Sequence, residues 1–380
     1  MRKTYLIILS VLIMAMTASC RNCGKSRTPV LSAADSVCIE KFDSLFTEMF
    51  PVDAPGAAVL VLRDDDIIFD KGYGLADMNV KTPVDGKTMF NICSVSKQFS
   101  AVAVMKLAED GKLSLDDPVS KFFPQFKADF FKEITLRHLM SHTSGIPDAR
   151  SYEDPNFVHF ATDEASYAYM DTLDFLNFEP GTQYEYENPT FQLLYTVISK
   201  CSGIPFDKYM RDSIFTPASM PRAVYFEAGK DIHGAAHGYR YDATKGWVEY
   251  DYGEASFFAT KADGGLYTST EEFVQWEKAL RNNLIITAAD RDTMQSEKIM
   301  CNEPDLPYTG YGYGWFIERK PGFPKKVFHT GNNGGFQIFE GMFPEQKIQY
   351  LIFATRDDWD REATVAQLDE YMKSAGWLGE

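Results

Sequence analysis

Strand-like segments lie at both ends of this chain, with a long helix-patterned stretch between them. This split constrains the fold more than any other feature. Early on, GAAVLVLRDDDIIFDKGYG (56–74) reads as two strands joined across the polar run Arg63 to Asp66, a hairpin. Late in the chain, YGYGWFIE, KKVFHTG, GFQIFEGMF and IQYLIFAT read as further strands. A hairpin first and three or four strands last imply one antiparallel sheet built from both chain ends. The middle, with helical spacing, many aromatics and loops marked by Pro and Gly, becomes a mostly helical inserted domain. The expected class is α+β, an antiparallel sheet flanked by helices. The sheet part covers about 34–112 and 305–380, and the helical part about 113–304. A pocket between the two parts is the natural place for an active site.

Helices are expected around the sheet. In VCIEKFDSLFTEMF, the apolar residues Val37, Phe42, Leu45, Phe46 and Met49 have helical spacing. KQFSAVAVMKLAEDGKL reads as a helix that Gly111 ends, and REATVAQLDEYMKSA as a final helix.

The first residues read as an export signal. Arg2 and Lys3 precede the apolar YLIILSVLIMAMTA, and TASC follows, ending at Cys20. The apolar stretch is too short and too one-sided for a membrane span. A cysteine directly after small residues resembles a bacterial lipobox, although Thr17 stands where leucine is usual. Residues 1–20 are therefore expected to be a signal peptide with Cys20 as the lipid attachment site; cleavage nearby without a lipid is the alternative. Residues 21–33 are polar and small, as a tether would be. The expected location is the bacterial cell envelope, periplasmic or at the cell surface.

Composition narrows the partners. The formal net charge of −16 argues against nucleic acid, which needs a basic surface. The 45% hydrophobic and 24% charged content is that of an ordinary globular protein with a substantial core. Cys20 and Cys23 have C-x-x-C spacing, but no second pair completes a zinc site. Cys38, Cys93, Cys201 and Cys301 read as buried free thiols, although an exported chain could form a disulfide. His233 and His237 have i, i+4 spacing, but DIHGAAHGYRYD looks like a loop and has no acidic third ligand. No metal and no organic cofactor are expected.

Three short motifs carry the chemistry. NICSVSKQFS places Ser94 at the start of a helix with Lys97 one turn on, where an ammonium or amine reaches the hydroxyl. A capping serine and a surface lysine would look the same. YEYENPTF places Tyr186 and Asn188 on a loop feeding a helix, where a phenol can relay a proton and an amide can orient a carbonyl. A core tyrosine beside an N-capping asparagine is the bland alternative. VFHTGNNGGF places His329, Thr330 and Gly331 on a late strand, and a strand edge beside a nucleophile can offer backbone N–H groups to an oxyanion. A glycine-rich turn would also read this way.

Together and in this order, S-x-x-K, Y-x-N and H-T-G resemble the motif set of penicillin-binding proteins and serine β-lactamases, which usually ends in K-T-G. The chain looks like a β-lactamase-related serine hydrolase from about residue 36 onward. ITLRHLMSHTSGIP, ADGGLYTSTEEFVQW and YGYGWFI resemble further segments of that family. The resemblance implies a β-lactamase/transpeptidase-like fold in which Ser94 forms an acyl-enzyme. Lys97 and Tyr186 would manage its proton, with the base left open between them. Asn188 would orient the substrate or Lys97, and the backbone N–H groups of Ser94 and Asn332 would form the oxyanion hole. His142 would support a loop beneath the site. His329 stands where the family usually has a lysine that helps hold a substrate carboxylate. Its presence, with Glu187 inside the Y-x-N triplet, points to a peptidase or esterase acting on a small molecule or peptide, ahead of a true β-lactamase or D-Ala-D-Ala carboxypeptidase. A non-catalytic binding or sensor protein of the same fold is the rival of another class. Selectivity is expected in the loops around DARSYEDPNFVHF (148–160).

Overall fold

The computed structural model describes residues 31–147, 163–227, 229–250 and 260–379. The N-terminal signal, Cys20, Cys23, most of the tether and the segment 148–160 lie outside the described residues. The chain order begins with α1 (Ala33–Met49), β1 (Ala57–Arg63), β2 (Asp66–Tyr73) and α2 (Ser96–Glu109). The middle contributes α3 (Asn188–Ser202) and α4 (Thr270–Arg281). The tail supplies β3 (Ile299–Met300), β4 (Thr309–Tyr311), β5 (Phe316–Glu318), β6 (Lys326–Asn333), β7 (Phe336–Phe343), β8 (Ile348–Ala354) and α5 (Arg361–Ser374). These strands form an eight-stranded sheet in the order β3-β4-β5-β6-β7-β8-β1-β2. Every neighbouring pair is antiparallel, and β1 is zipped to β8 from Ala57↔Ala354 to Arg63↔Ile348. The fold is thus α+β, with one sheet made from both chain ends.

The hairpin turns at Asp64 and Asp65, both with positive φ (50° and 75°). A two-residue turn of this hand matches the twist of the flanking strands, and Asp tolerates it better than most residues. The tail differs from its expected outline. YGYGWFIE is not one strand but the hairpin β4–β5, reversed at Gly314, whose φ is +87°. With β3, the tail contributes six strands rather than three or four, and the sheet part opens at Ile299. Strands of two or three residues are too short to show alternation in a sequence.

Helices cover both sheet faces, which explains the unbroken apolar run AAVLVL in β1. Ala58, Leu60 and Leu62 pack toward Phe99 and Val102 of α2, together with Leu351 and Phe353. Ala57, Val59 and Val61 pack toward Phe42 and Phe46 of α1 and Leu368 and Met372 of α5. In α1 the buried stripe is Cys38, Phe42 and Phe46 around Asp35, while Val37 is 51% exposed. Asp35 binds Arg63 (2.7 Å) and accepts from Trp377 Nε1 (2.6 Å), tying helix to sheet. Buried Lys326 is held by Glu318 and Asp369, each at 2.8 Å, clasping α5 to the sheet. Gly111 has φ +69° just past α2, as its stop signal implies. Cys38, Cys93, Cys201 and Cys301 are free thiols.

Candidate active site

Ser94 lies in a short 3-10 turn, Cys93–Val95, that leads directly into α2. Cys93 adopts φ +50°, an uncommon conformation for a residue with a Cβ. Its N–H donates to Asn91 Oδ1 at 2.7 Å, which fixes the turn. Three residues beyond Ser94, Lys97 is fully buried. Its Nζ lies 3.0 Å from Ser94 Oγ, 2.7 Å from Asn188 Oδ1 and 2.9 Å from the Asp263 carbonyl. The capping serine and surface lysine of the bland alternative are therefore not what the chain contains. Asn188 is the first residue of α3, with Glu187 as its N-cap, and its side chain serves Lys97 rather than the helix end.

The Lys97 contacts have a chemical consequence. The Asn188 and Asp263 oxygens are carbonyls, which only accept, so each takes an N–H from Lys97. The third direction faces the Ser94 hydroxyl. An ammonium donates there; a neutral amine turns its lone pair to the Ser94 O–H. The same geometry accommodates both protonation states without rearrangement.

Tyr186 flanks this group, with its ring centroid 5.0 Å from Lys97 Nζ. His142 holds Tyr186 in place. The Glu185 N–H donates to the His142 carbonyl (3.0 Å) and the Glu187 N–H to His142 Nδ1 (3.0 Å), while the His142 and Tyr186 rings lie 4.3 Å apart. The supporting part expected of His142 is thus visible as two hydrogen bonds. Burial, then the charge of Lys97, pushes the His142 pKa well below the usual imidazole range. As a neutral ring accepting at Nδ1, it carries its proton on Nε2.

His329 is fully buried on β6. Its Nδ1 lies 2.7 Å from the Thr330 carbonyl and its Nε2 2.9 Å from the Tyr311 hydroxyl. A carbonyl only accepts, so Nδ1 carries the proton and the Tyr311 O–H donates to Nε2. Burial and the Lys97 charge push the His329 pKa down to about 3. Burial likewise holds the Tyr311 phenol protonated. His329 is therefore a neutral hydrogen-bonding group, without the charge a lysine would bring.

Thr330 is half-buried and Asn332 exposed, at the end of β6. Here β5 no longer pairs with β6, since its register stops at Phe316↔Phe328. At Gly331, a Cβ would stand 2.7 Å from the Ile92 carbonyl and 2.8 Å from Cys93 Cβ. Only glycine lets β6 approach the Ser94 turn this closely. Arg361 Nη1 donates to the Gly331 carbonyl at 3.2 Å and fixes that stretch from the other side.

The structure thus gathers Ser94 and Lys97 from the 3-10 turn and α2, Tyr186 and Asn188 from the start of α3 and the loop before it, and the His329–Asn332 segment from β6. Sequence reasoning missed Asn91, Asp263, Tyr311 and Arg361. Asp263 and Tyr311 fall inside the quoted stretches ADGGLYTSTEEFVQW and YGYGWFI, which was the available signal. His233 lies in a loop, and His237 faces Asp77 (3.8 Å) and Glu249 (3.6 Å). Among the described residues, no group of three His, Cys, Asp or Glu side chains is placed to hold a metal ion. Nor is any described helix long and apolar enough to cross a membrane.

Known proteins resemble this arrangement. A family profile described as Beta-lactamase matches residues 42–370. Penicillin-binding protein 4* of Bacillus subtilis is 27% identical over 320 residues, 80% of this chain and 68% of its own length. Protein flp of Staphylococcus aureus is 28% identical over 308 residues, 79% of this chain and 59% of its own length. This chain therefore spans about three fifths to two thirds of those relatives. Among solved structures, the octameric penicillin-binding protein homologue from Pyrococcus abyssi superposes with a TM-score of 0.75. It is 28% identical, and the match covers 90% of this chain and 79% of the other.

Proposed function

The chain belongs to the Beta-lactamase family, and from that premise we propose that it is a serine hydrolase cleaving an amide or ester through an acyl-serine. The observation that carries this reading is the buried Lys97 amine, 3.0 Å from Ser94 Oγ and oriented by two carbonyl acceptors. In the proposed first step, the neutral Lys97 amine takes the Ser94 proton as Oγ attacks the substrate carbonyl. The resulting ammonium faces the Tyr186 ring, which favours a cation. Backbone N–H groups of Ser94 and Asn332 receive the oxyanion; one such donor is typically worth about 3 kcal/mol. Lys97 then returns its proton to the leaving group, and water releases the acyl chain. Tyr186 is the alternative proton carrier.

A peptidase or esterase is favoured over a β-lactamase or D-Ala-D-Ala carboxypeptidase. A substrate carboxylate gains most from a cation, and neutral His329 supplies none at that position. Export, with a lipid on Cys20, belongs to the same proposal and rests on the N-terminal sequence.

Steady-state turnover tests the reading. An activated short-chain ester, amino-acid p-nitroanilides of both hands and a penicillin are compared on the parent, Ser94→Ala and Lys97→Ala. Ester or anilide turnover abolished by both variants is expected. Turnover that survives Ser94→Ala would sink the proposal. A penicillin hydrolysed faster than every ester and anilide would reverse the substrate preference.

A further inference from the structure

A cavity lies at the far end of the strands from Ser94. The Ser94 site adjoins the β6–β7 turn at Asn333 and Phe336. The cavity, about 400 Å3, is lined by residues at the opposite strand ends, including Leu62, Lys325, Pro344 and Ile348, and by α4. It shares no residue with the Ser94 cluster, so its occupancy is independent of whether Ser94 is a nucleophile.

The charge of this cavity is unusual for the chain. Arg281, Arg291, Lys325 and Lys347 line it against Asp65, Glu277 and Asp292, four cations to three acids. The whole chain carries −16. Most of these charges already have partners. Arg281 binds Asp65 at 2.6 Å, Arg291 binds Asp292 at 2.8 Å, and Lys347 lies 3.9 Å from Asp64. Two do not fit this pattern. Lys325 forms no hydrogen bond or ion pair among the described residues, and burial, then Arg319, pushes its pKa down. Glu277 is only 5% exposed and accepts no hydrogen bond among the described residues; its one ion pair is with Arg281 Nε at 3.9 Å. Around them, among the described residues, Gln295 Nε2 is a buried donor without an acceptor and Gln349 Oε1 a buried acceptor without a donor. Buried polar groups are ordinarily satisfied, so such a concentration in one cavity points to an occupant.

Lys325 and Glu277, neither of them hydrogen-bonded to a counter-charge among the described residues, have opposite sign when ionised. A simple anion would meet the Glu277 carboxyl, and a simple cation would meet four basic side chains. A dipolar solute answers both. We propose that this cavity binds a small zwitterion, a free amino acid, with its ammonium on Glu277 and its carboxylate on Lys325 beside Arg281 and Arg291. At roughly 30 Å3 of liquid volume per water, the cavity has room for such a molecule.

Isothermal titration of the whole protein at about pH 8, where Glu277 is ionised, tests this. The probes are glycine, alanine of both hands, glutamate and phenylalanine, with acetate, phosphate and methylammonium as single-charge comparators. Binding of at least one amino acid with a Kd of about 1 mM or tighter is expected. Glu277→Gln and Lys325→Ala should each weaken it about 10-fold or more, with unchanged circular dichroism, while Ser94→Ala leaves it intact. Lys325 is only half-buried, so its variant tests the site independently of the buried Glu277 position. No binding by any of these amino acids up to about 10 mM overturns the proposal. So does binding indifferent to both cavity variants, or binding matched by acetate or phosphate alone.

Discussion

At the scale of single residues, the chemistry turns on side chains whose charge the fold has set. Lys97→Ala is expected to lower kcat/KM by about 1,000-fold or more, because it removes the proposed base and leaves Ser94 Oγ without its nearest partner. Pre-steady-state acylation kinetics read this directly; a loss confined to KM would contradict it. His329 should stay neutral at every pH at which the protein is active. Its ring resonances in NMR are expected to show no titration between about pH 5 and pH 9, since burial holds its pKa near 3. Glu277 gives a stability prediction of the opposite sign. Burial raises its pKa from 4.5 to about 7, so the folded protein keeps a proton that the unfolded chain releases. That contribution is complete below pH 4.5 and lost as pH rises through 7. Glu277→Gln should therefore stabilise the protein by on the order of 3 kcal/mol at about pH 8, with little change at about pH 4. Urea denaturation at both pH values checks it; an equal effect at both would refute the charge argument.

At the scale of elements, the site depends on how closely β6 approaches the Ser94 turn. Gly331→Ala forces a Cβ to within 2.7 Å of the Ile92 carbonyl. The strand must then move by several tenths of an ångström, and the Asn332 N–H, the proposed oxyanion donor on β6, moves with it. A fall in kcat/KM of about 100-fold is expected, with the far-ultraviolet spectrum unchanged. An unaffected rate would mean that β6 does not frame the reacting carbonyl. Elements also show what a sequence can and cannot convey. The long strands β1, β2, β6, β7 and β8 were legible because their apolar runs are bounded by turn residues. β3 was not, and β4 and β5 were read as one strand, since two or three residues carry no period. Ser94, Lys97 and Asn188 were legible as types and spacings. The Asp263 carbonyl was not, because any residue offers a carbonyl and only the fold brings this one to Lys97. Tyr311 and Arg361 act through single hydrogen bonds to His329 and Gly331, and no spacing rule foretells such contacts.

At the scale of the whole molecule, one sheet drawn from both chain ends places α2 against α3 and β6, three elements far apart in sequence. The motif order made that convergence readable, because each motif is weak alone and only a shared fold explains the set. The loop chemistry around 148–160, where selectivity was expected, lies outside the described residues, and no spacing in the sequence specifies its shape. The net charge of −16 implies self-repulsion, so raising ionic strength from about 20 to about 300 mM should raise the melting temperature. Differential scanning calorimetry would register the shift; a fall would show that attractive surface pairs dominate.

The most direct test of the central claim is intact-protein mass spectrometry after exposure to a fluorophosphonate and, separately, to an activated ester, with Ser94→Ala alongside. An acyl-serine mechanism predicts one adduct per chain, located by peptide mapping at Ser94 and absent from the variant. A folded parent that takes no adduct, or an adduct that persists in Ser94→Ala, would contradict it and leave a binding protein built on a hydrolase fold.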